Sequence, residues 1–445
     1  MLPQLAAAQQ ATLRECANLS AIYAPAGTTL ASAVMKAPGE VSVMLNGNAT
    51  PMPEHCVVNG RMNSRVSPVD GRNYAISFEM RLPKDWNGRF FYQANGGLEG
   101  TVVPAYGEML GGSPSSNALL QGFAVVSSDA GHAFDRSLPP AIGAAIFGID
   151  PQARADFGYN TIAQVTPMAK GLISAAYGKV PDRSYIAGCS NGGRSALVAA
   201  ARYTNEYDGI LAGAPGLDLP KIAVMQIWDA QTAATVAPLR ANGRPDFAAS
   251  FSDAELAVVS RKVLEKCDAL DGIADGMVGD MAQCQSKADL AQDVPTCSAA
   301  SDVQCLPAAK KAALVRMLAG PRNAAGAALY ASFPLDAGIS APGWRTWKIG
   351  IAPSLPQGLQ RGGGAAAFLF TAPPANPTVV RDLDSLTDWV LNFSFDTDAP
   401  KIAATTETYR ESAMETVNPP NATDLRALRT RGAKLMAYNG VSDPG

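Results

Sequence analysis

Apolar residues recur along the first half of the chain with two periods, one typical of strands and the other of helices. Residues 75–82 alternate apolar and polar side chains, as a half-buried strand does. Residues 160–177 instead show the spacing of a helix. Because strands alternate with helices, we predict a doubly wound, mostly parallel α/β sheet with functional residues at the carboxyl ends of its strands. Further strands are predicted at residues 89–93, 122–126, 184–187 and 209–213.

Beyond Leu217 the helical spacing continues without intervening strands. A capping box, Ser252-Asp-Ala-Glu255, predicts the start of one helix. Another is predicted to start at Pro307 and to stop before Gly320-Pro321. Residues 353–378 are rich in proline and glycine, so we predict a loop there.

The strand pattern returns near the end of the sequence, at residues 434–438. A helical stretch enclosed by two parts of an α/β sheet is typical of an inserted lid. We therefore predict a core formed by residues 1–216 and 415–445, with a lid domain at residues 217–414.

Composition excludes several classes of protein. Of the 445 residues, 47% are hydrophobic and 17% are charged, which favours a large folded core over disorder. A net charge of −3 without a basic run gives no indication of nucleic-acid binding. No apolar stretch is long enough for a membrane-spanning helix. The first eleven residues resemble the end of a secretory signal but have no basic segment.

Six of the seven cysteines fall into neighbouring groups. Such pairs indicate an oxidising compartment, and none of the spacings matches a zinc site. The alternative is a cytosolic enzyme with seven reduced, buried thiols. Cys16 and Cys56 flank the first segment, Cys267, Cys284, Cys297 and Cys305 cluster in the middle, and Cys189 stands alone.

The most informative motif is Gly188-Cys-Ser-Asn-Gly192, between a predicted strand and a predicted helix. This pattern predicts a nucleophile elbow, in which Ser190 occupies a strained turn that admits only glycine-sized neighbours. The first N–H groups of the following helix would then face the negative oxygen of a tetrahedral intermediate. The alternative is an ordinary glycine-rich turn with an idle serine.

Asp443 is the second candidate catalytic residue. In a doubly wound serine hydrolase the catalytic triad runs serine, acid, histidine along the chain, and the acid follows a late strand. The alternative is that Asp443 is an ordinary turn residue in the segment Ser-Asp-Pro-Gly. The only histidines, His55 and His132, both precede Ser190, against the usual order. His132 is either the base or, as we favour, a hydrogen-bonding residue in the pocket wall. We therefore expect the chain to be truncated before its catalytic histidine.

Two further motifs carry possible chemistry. Asp268, Asp271 and Asp275 are closely spaced, with a glycine directly after each of the last two, in a pattern that suits calcium. The spacing is not that of an EF-hand, and a solvated acidic loop is the alternative. Asn95-Gly-Gly97 follows a strand and either presents a backbone N–H to the oxyanion or forms a tight turn. No dinucleotide fingerprint follows it.

Taken together, these residues resemble the tannase/feruloyl esterase family of secreted α/β-hydrolases. The Cys189-Ser190 pair and the aspartate loop are the specific parts of a similarity that covers most of the chain. The matching segments are Leu82-Pro83, Trp86–Phe90, Asn95–Gly97, Asp129–His132, Phe157–Tyr159, Gly188–Arg194, Tyr207–Pro215, Asp268–Gly276, Ala319–Pro321 and Tyr438–Asp443.

The resemblance implies roles for individual residues. Ser190 would be the nucleophile and Asp443 the acid, with the backbone N–H groups of Asn191 and of Gly96 or Gly97 forming the oxyanion hole. A calcium ion in the lid would be held by the carboxylates of Asp268, Asp271 and Asp275 and by the carbonyl groups of Ile273 and Met277.

The resemblance also implies a set of disulfides. Cys189 would be bridged to a cysteine next to the catalytic histidine, and both would lie beyond Gly445. The remaining bridges would be Cys16–Cys56, Cys267–Cys284 and Cys297–Cys305.

From the motifs and the resemblance we expect a secreted or periplasmic serine hydrolase of aromatic carboxylic esters, such as feruloyl or galloyl esters, acting through an acyl-enzyme. We expect it to bind a small aromatic ester and to bind neither nucleic acid nor a membrane. The sequence does not indicate the oligomeric state. Residues 1–445 alone would be inactive without a base. The alternative from another class is a non-catalytic, calcium-stabilised secreted binding protein on a hydrolase scaffold. A dienelactone-type or polyester-fragment hydrolase is the nearest alternative enzyme.

Overall fold

The computed structural model describes residues 13–108, 115–298 and 304–444. Within them the chain forms two compact units. The first consists of residues 1–134, 149–217 and 415–438, and the second of residues 135–148, 218–414 and 439–445.

The first unit contains a sheet that has eight strands in the described residues. From one edge to the other the order is β1-β4-β5-β7-β6-β8-β9-β10. The strands from β7 to β10 in this order pair in parallel, and β1, β4 and β5 add an antiparallel extension next to β7. A separate hairpin pairs β2 with β3. The strands are β1 (Thr28–Lys36), β2 (Ser42–Leu45), β3 (Asn48–Pro51), β4 (His55–Val66), β5 (Asn73–Pro83), β6 (Arg89–Ala94), β7 (Ala124–Ser128), β8 (Arg183–Cys189), β9 (Gly209–Gly213) and β10 (Lys434–Tyr438).

The helices differ between the two units. Several helices of the first unit pack on the sheet, whereas the regular elements in the described residues of the second unit are all helices. In chain order the α-helices are α1 (Leu19–Ile22), α2 (Pro140–Gly143), α3 (Pro151–Ala155), α4 (Thr161–Tyr177), α5 (Asn191–Arg202), α6 (Leu219–Ala234), α7 (Asp253–Cys267), α8 (Met281–Lys287), α9 (Leu290–Asp293), α10 (Ala308–Leu318), α11 (Pro342–Lys348), α12 (Gln357–Ala365), α13 (Leu383–Leu391), α14 (Ala413–Val417) and α15 (Arg426–Arg431).

Both faces of the central strands are buried, which explains their continuous apolar sequences. In β6, Phe90 and Tyr92 enter one apolar cluster together with residues of α4, and Phe91 enters a second cluster with Val125 and Ala187. Alternate residues of a strand face opposite sides of the sheet. In a strand that is covered on both sides, both sets of alternate residues are therefore apolar.

The structure confirms the predicted α/β fold with its mostly parallel central sheet. The predicted strands correspond to β5, β6, β7, β8, β9 and β10, and α4 and α10 lie where helices were expected. The capping box at Ser252 and Glu255 is present at the start of α7.

The loop predicted for residues 353–378 is wrong in part, because α12 occupies residues 357–365. Its glycines allow close packing against α6. A Cβ atom on Gly362 would lie 2.9 Å from the Cβ of Gln226, so a larger residue would push the helices apart. Glycine is here a packing residue rather than a loop signal.

Two segments that we predicted for the core, residues 135–148 and 439–445, group with the second unit instead. In the first of them, a Cβ on Gly148 would lie 2.6 Å from the carbonyl oxygen of Phe368. In the second, Ser442 forms a hydrogen bond with Asp336. Both segments belong to the second unit because they pack on residues of that unit that are distant in the sequence.

The three disulfides that the resemblance implied are present, as Cys16–Cys56, Cys267–Cys284 and Cys297–Cys305. Cys189 is a free and exposed thiol. In the described part of the chain, none of the helices is both long and apolar enough to cross a membrane.

Candidate active site

Ser190 lies between β8 and α5, in a backbone conformation that side chains rarely adopt. Its φ is +60° and its ψ is −121°. The turn is held by a hydrogen bond from the Ser190 N–H to the Gly213 carbonyl at 3.0 Å, and by another from the Arg194 N–H to the Ser190 carbonyl at 3.0 Å. The side chain is exposed. A strained turn that projects an exposed hydroxyl is the geometry of a nucleophile elbow.

The glycines on either side of Ser190 are required by close backbone contacts. A Cβ on Gly188 would lie 2.5 Å from the carbonyl carbon of Gly192 and 2.6 Å from the carbonyl oxygen of Ala94. A Cβ on Gly192 would lie 3.0 Å from the carbonyl oxygen of Asn95. The end of β6 therefore passes directly against the elbow.

Parallel pairing brings several loops to one edge of the sheet. The carboxyl ends of β6, β7, β8 and β9 meet there, so Asn95, Asp129, Ser190 and Ala214 follow neighbouring strands. Ser190, Asn95, Gly96 and Glu99 line a cavity of about 830 Å³. The hairpin residues 43–46 contribute to its wall. The cavity that Ser190, the predicted nucleophile, lines is thus large enough for a small ester.

The predicted oxyanion donors lie next to Ser190. Asn191 is the first residue of α5, so its N–H has no acceptor within the helix and stands at the positive end of the helix dipole. A Cβ on Gly96 would be 3.5 Å from the carbonyl oxygen of Cys189, which places that loop against the elbow. Gly97 follows with a φ of +67°. The roles of Asn191, Gly96 and Gly97 stay predictions.

Both histidines form contacts with other parts of the chain. The His55 ring contacts the Pro53 carbonyl at 2.6 Å and the Arg81 guanidinium at 2.9 Å. Nε2 of His132 lies 2.9 Å from the Leu98 carbonyl, and burial lowers the pKa of this ring to about 4. A buried, neutral ring that is bonded to a loop carbonyl fits the structural role favoured from the sequence.

Asp443, the predicted acid, follows shortly after β10. Its N–H donates to the Gly440 carbonyl at 3.1 Å, which closes a turn. The adjacent Ser442 hydroxyl is hydrogen-bonded to Asp336, which anchors this turn within the second unit. The acid role of Asp443 stays a prediction.

The predicted calcium loop does not gather its carboxylates around one point. Asp268 accepts hydrogen bonds from the N–H groups of Asp275 and Gly276, both at 3.0 Å, and Asp271 accepts one from Ile273 at 2.9 Å. Among the residues that the structure describes, no three or more histidine, cysteine, aspartate or glutamate side chains could hold a metal ion together.

Each aspartate of this loop therefore caps the backbone of its own turn, and the Asp275 carboxylate likewise accepts from the Met277 N–H at 3.1 Å. This arrangement does not fit a preformed calcium site. The set of Asp268, Asp271, Ile273, Asp275 and Met277 stays a prediction, and no step of the reaction depends on it.

Sequence reasoning missed the polar groups behind the elbow. Asn191 Nδ2 donates to Glu99 Oε1 at 3.1 Å, and Arg194 Nε donates to Asn191 Oδ1 at 2.7 Å. Burial raises the pKa of Glu99 to about 8 and that of Asp129 to about 6. Perturbed carboxyl groups around an exposed serine are typical of catalytic pockets. Nothing in the sequence pattern distinguishes Glu99 from a surface glutamate.

Comparison with known proteins adds an independent finding. A family model described as tannase and feruloyl esterase matches residues 56–445. The chain is 38% identical over 414 residues to the mono(2-hydroxyethyl) terephthalate hydrolase of Piscinibacter sakaiensis. This match covers 89% of this chain and 68% of that protein. It is 32% identical over 435 residues to an uncharacterized esterase of Xanthomonas campestris pv. campestris, covering 96% of this chain and 67% of that protein.

Among solved structures, feruloyl esterase B from Aspergillus oryzae superimposes with a TM-score of 0.70 at 21% identity, covering 96% of this chain and 74% of that one. At this identity the likeness concerns the fold.

Proposed function

Because the chain belongs to the tannase and feruloyl esterase family, whose members' names indicate carboxylic ester hydrolysis, we propose that it hydrolyses esters of aromatic carboxylic acids through an acyl-enzyme on Ser190. One observation carries the proposal. Ser190 stands exposed in a left-handed turn at the mouth of a cavity, immediately before the first N–H groups of a helix.

The proposed reaction uses these groups in a fixed order. The Ser190 oxygen attacks the ester carbonyl, and the alcohol leaves as the acyl-enzyme forms. The backbone N–H groups of Asn191 and of Gly96 or Gly97 hold the negative oxygen of each tetrahedral intermediate. Water then releases the acid. Asp443 would orient the base that takes the serine proton, and we assign that base to neither His55 nor His132.

The acid part of the substrate is proposed to be aromatic. The family is named for esters of aromatic acids, and the relative from Piscinibacter sakaiensis is named for an ester of terephthalate, also an aromatic acid. Feruloyl, galloyl and terephthaloyl esters therefore define the substrate class to be tested. Three disulfides suit an oxidising compartment, so we further propose that the enzyme acts outside the cytosol.

The proposal is tested by comparing the complete natural protein with its Ser190→Ala variant on a feruloyl, a galloyl and a mono-terephthaloyl ester. Removing the nucleophile of a serine hydrolase costs on the order of a millionfold in kcat, so the variant should be inactive on all three. Ser174→Ala, on α4, is the matched control and should retain full activity. Undiminished turnover by Ser190→Ala, or a wild type inactive on every ester, would contradict the proposal.

A further inference from the structure

Glu99 lines the cavity beside Ser190, although the proposed chemistry gives it no part. Its Oε1 accepts a hydrogen bond from Asn191 Nδ2 at 3.1 Å. Asn191 follows the nucleophile and opens α5, whereas Glu99 belongs to the loop that contains Gly96 and Gly97. The bond therefore joins the two peptide segments that supply the predicted oxyanion donors.

A buried cation holds the Asn191 side chain from its other end. Arg194 Nε donates to Asn191 Oδ1 at 2.7 Å, and the Arg194 side chain is fully buried. Other N–H groups of this guanidinium donate to backbone carbonyls of Gly158, at 2.7 Å, and of Phe157 and Val417, both at 3.0 Å. Because these carbonyls fix the guanidinium, the amide oxygen must face it and the amide nitrogen faces the Glu99 carboxyl group.

The loop at the other end of this bond is tightly wound. Glu99 has a φ of +55°, and its neighbours Gly97 and Gly100 have φ values of +67° and +80°. The left-handed region is unfavourable for a residue with a side chain. Glu99 adopts this left-handed conformation, and its carboxyl group accepts the hydrogen bond from Asn191 at the start of helix α5. The Gly100 N–H donates to the Asp129 carbonyl at 3.0 Å, which anchors the end of the loop beyond β7.

We propose that Glu99 is a positioning residue of the oxyanion hole, whose carboxyl group sets the distance between the Asn191 and Gly96 N–H groups by bridging α5 to the loop. The inference rests on the proposed function, because an oxyanion forms only when Ser190 attacks an ester. Glu99 acts through peptide groups that bind the transition state more strongly than the substrate. Its loss should therefore change kcat more than KM.

The charge of Glu99 matters because the hole must stabilise a negative oxygen. Burial raises the pKa of Glu99 to about 8; the Asp129 carboxylate also raises it, while the Arg194 guanidinium and the Asn191 hydrogen bond lower it. The nearby Tyr92 hydroxyl, on β6, has a raised pKa and stays neutral. Below about pH 8 the bridge is thus an uncharged carboxylic acid. At higher pH a negative charge forms beside the oxyanion, and kcat should fall.

Two substitutions of Glu99 separate the hydrogen bond from the charge. Glu99→Ala removes the acceptor and should lower kcat about 10- to 100-fold, the scale expected when a reacting group moves by about 1 Å. Glu99→Gln keeps the acceptor without an ionisable group. It should retain wild-type kcat at pH 7 and lose the decline above about pH 8.

A second pair of variants tests whether the bridge acts as a unit. Asn191→Ala removes the other end of the bridge but keeps the peptide N–H. The Glu99→Ala/Asn191→Ala double variant should therefore be no slower than the slower single variant. Glu206→Ala is the control for loss of a glutamate elsewhere in the first unit; Glu206 is paired with Lys170 at 2.6 Å, and its removal should leave kcat unchanged.

The measurements are kcat, KM and the pH profile on one ester that the wild type hydrolyses, together with the rate at which a fluorophosphonate modifies Ser190. An active wild type whose kcat is the same in Glu99→Ala would overturn the inference and leave the proposed function standing. An inactive wild type that the fluorophosphonate does not modify would overturn both. Should Glu99→Ala fail to fold, Asn191→Ala decides, because it removes the other end of the same hydrogen bond: a wild-type kcat in that variant would refute the positioning role.

Discussion

A buried ion pair in the second unit makes a quantitative prediction about stability. Lys348, at the end of α11, lies 2.6 Å from Asp229 on α6, and each side chain is only 2% exposed. The Lys348 ammonium also lies 3.5 Å from the centre of the Phe333 ring. Burial lowers the pKa of Lys348 and raises that of Asp229, while each partner opposes the shift of the other. Substitution of Lys348 by Met keeps most of the volume but removes the only charge that pairs with Asp229 among the described residues.

The expected cost follows from the burial. Breaking a buried pair by removing one partner leaves an uncompensated charge and costs about 3–5 kcal/mol. The Asp229 Oδ1 atom has no hydrogen-bond partner within the described residues, so little remains to stabilise the carboxylate. In Lys348→Met this carboxyl group should bind a proton in the folded state while it is ionised in the unfolded state. Stability should then decrease as the pH rises above about 4, by up to about 1.4 kcal/mol per pH unit.

The assay is urea unfolding followed by tryptophan fluorescence at pH 5 and pH 8. Four of the five tryptophans, among them Trp228 and Trp344, belong to the second unit, so the signal reports mainly on that unit. Lys262→Met is the control: it breaks an exposed pair with Glu265 and should cost no more than about 1 kcal/mol.

Adding Asp229→Asn to Lys348→Met removes the stranded charge and should restore about 2 kcal/mol or more of the loss. A Lys348→Met variant that is destabilised no more than the control, with the same stability at both pH values, would show that Lys348 does not stabilise a buried Asp229 carboxylate.

Three further predictions follow from the packing, the disulfides and the aspartate loop. Gly192→Ala should destabilise the protein by about 1–3 kcal/mol and lower kcat, because the new Cβ overlaps the Ala94 backbone; wild-type urea unfolding and turnover would contradict this. Replacing both Cys267 and Cys284 by Ala opens a link across 17 positions and should cost about 3 kcal/mol, measured as the shift of the urea midpoint; an unchanged midpoint would be the contrary result. If the loop at residues 268–277 binds calcium, adding EGTA should lower the Tm and excess Ca²⁺ should restore it; a Tm indifferent to both would remove calcium from the account.

The parts of the fold that the sequence predicted are those determined by local chemistry. Buried strands have continuous apolar runs, and the elbow has glycines where backbone segments cross, so β8, Ser190 and Gly192 were all recognisable. The capping box at Ser252 is likewise a contact between near neighbours in the sequence. Such features need no knowledge of distant residues.

The parts that the sequence did not predict depend on packing between distant segments. Residues 357–365 were predicted as a loop, because their glycines are explained only by close packing on distant residues: Gly362 lies against Gln226, Gly363 against Val390 and Gly364 against Ala141. Glu99 was overlooked because its significance comes from Asn191 and Arg194, which lie more than ninety positions away. For the aspartate loop, calcium binding stays a prediction; the structure adds that the carboxylates of Asp268 and Asp271 accept hydrogen bonds from N–H groups of their own loop.

Covalent labelling is the sharpest test of the Ser190 hydroxyl as the proposed nucleophile. The complete natural protein is treated with a fluorophosphonate, and the modified peptide is identified by mass spectrometry. We expect one label per chain on Ser190, which forms more slowly while an aromatic ester is present in excess and is absent in Ser190→Ala. Failure to label Ser190 in a folded protein that hydrolyses such esters, or labelling of another residue instead, would show that Ser190 is not the nucleophile.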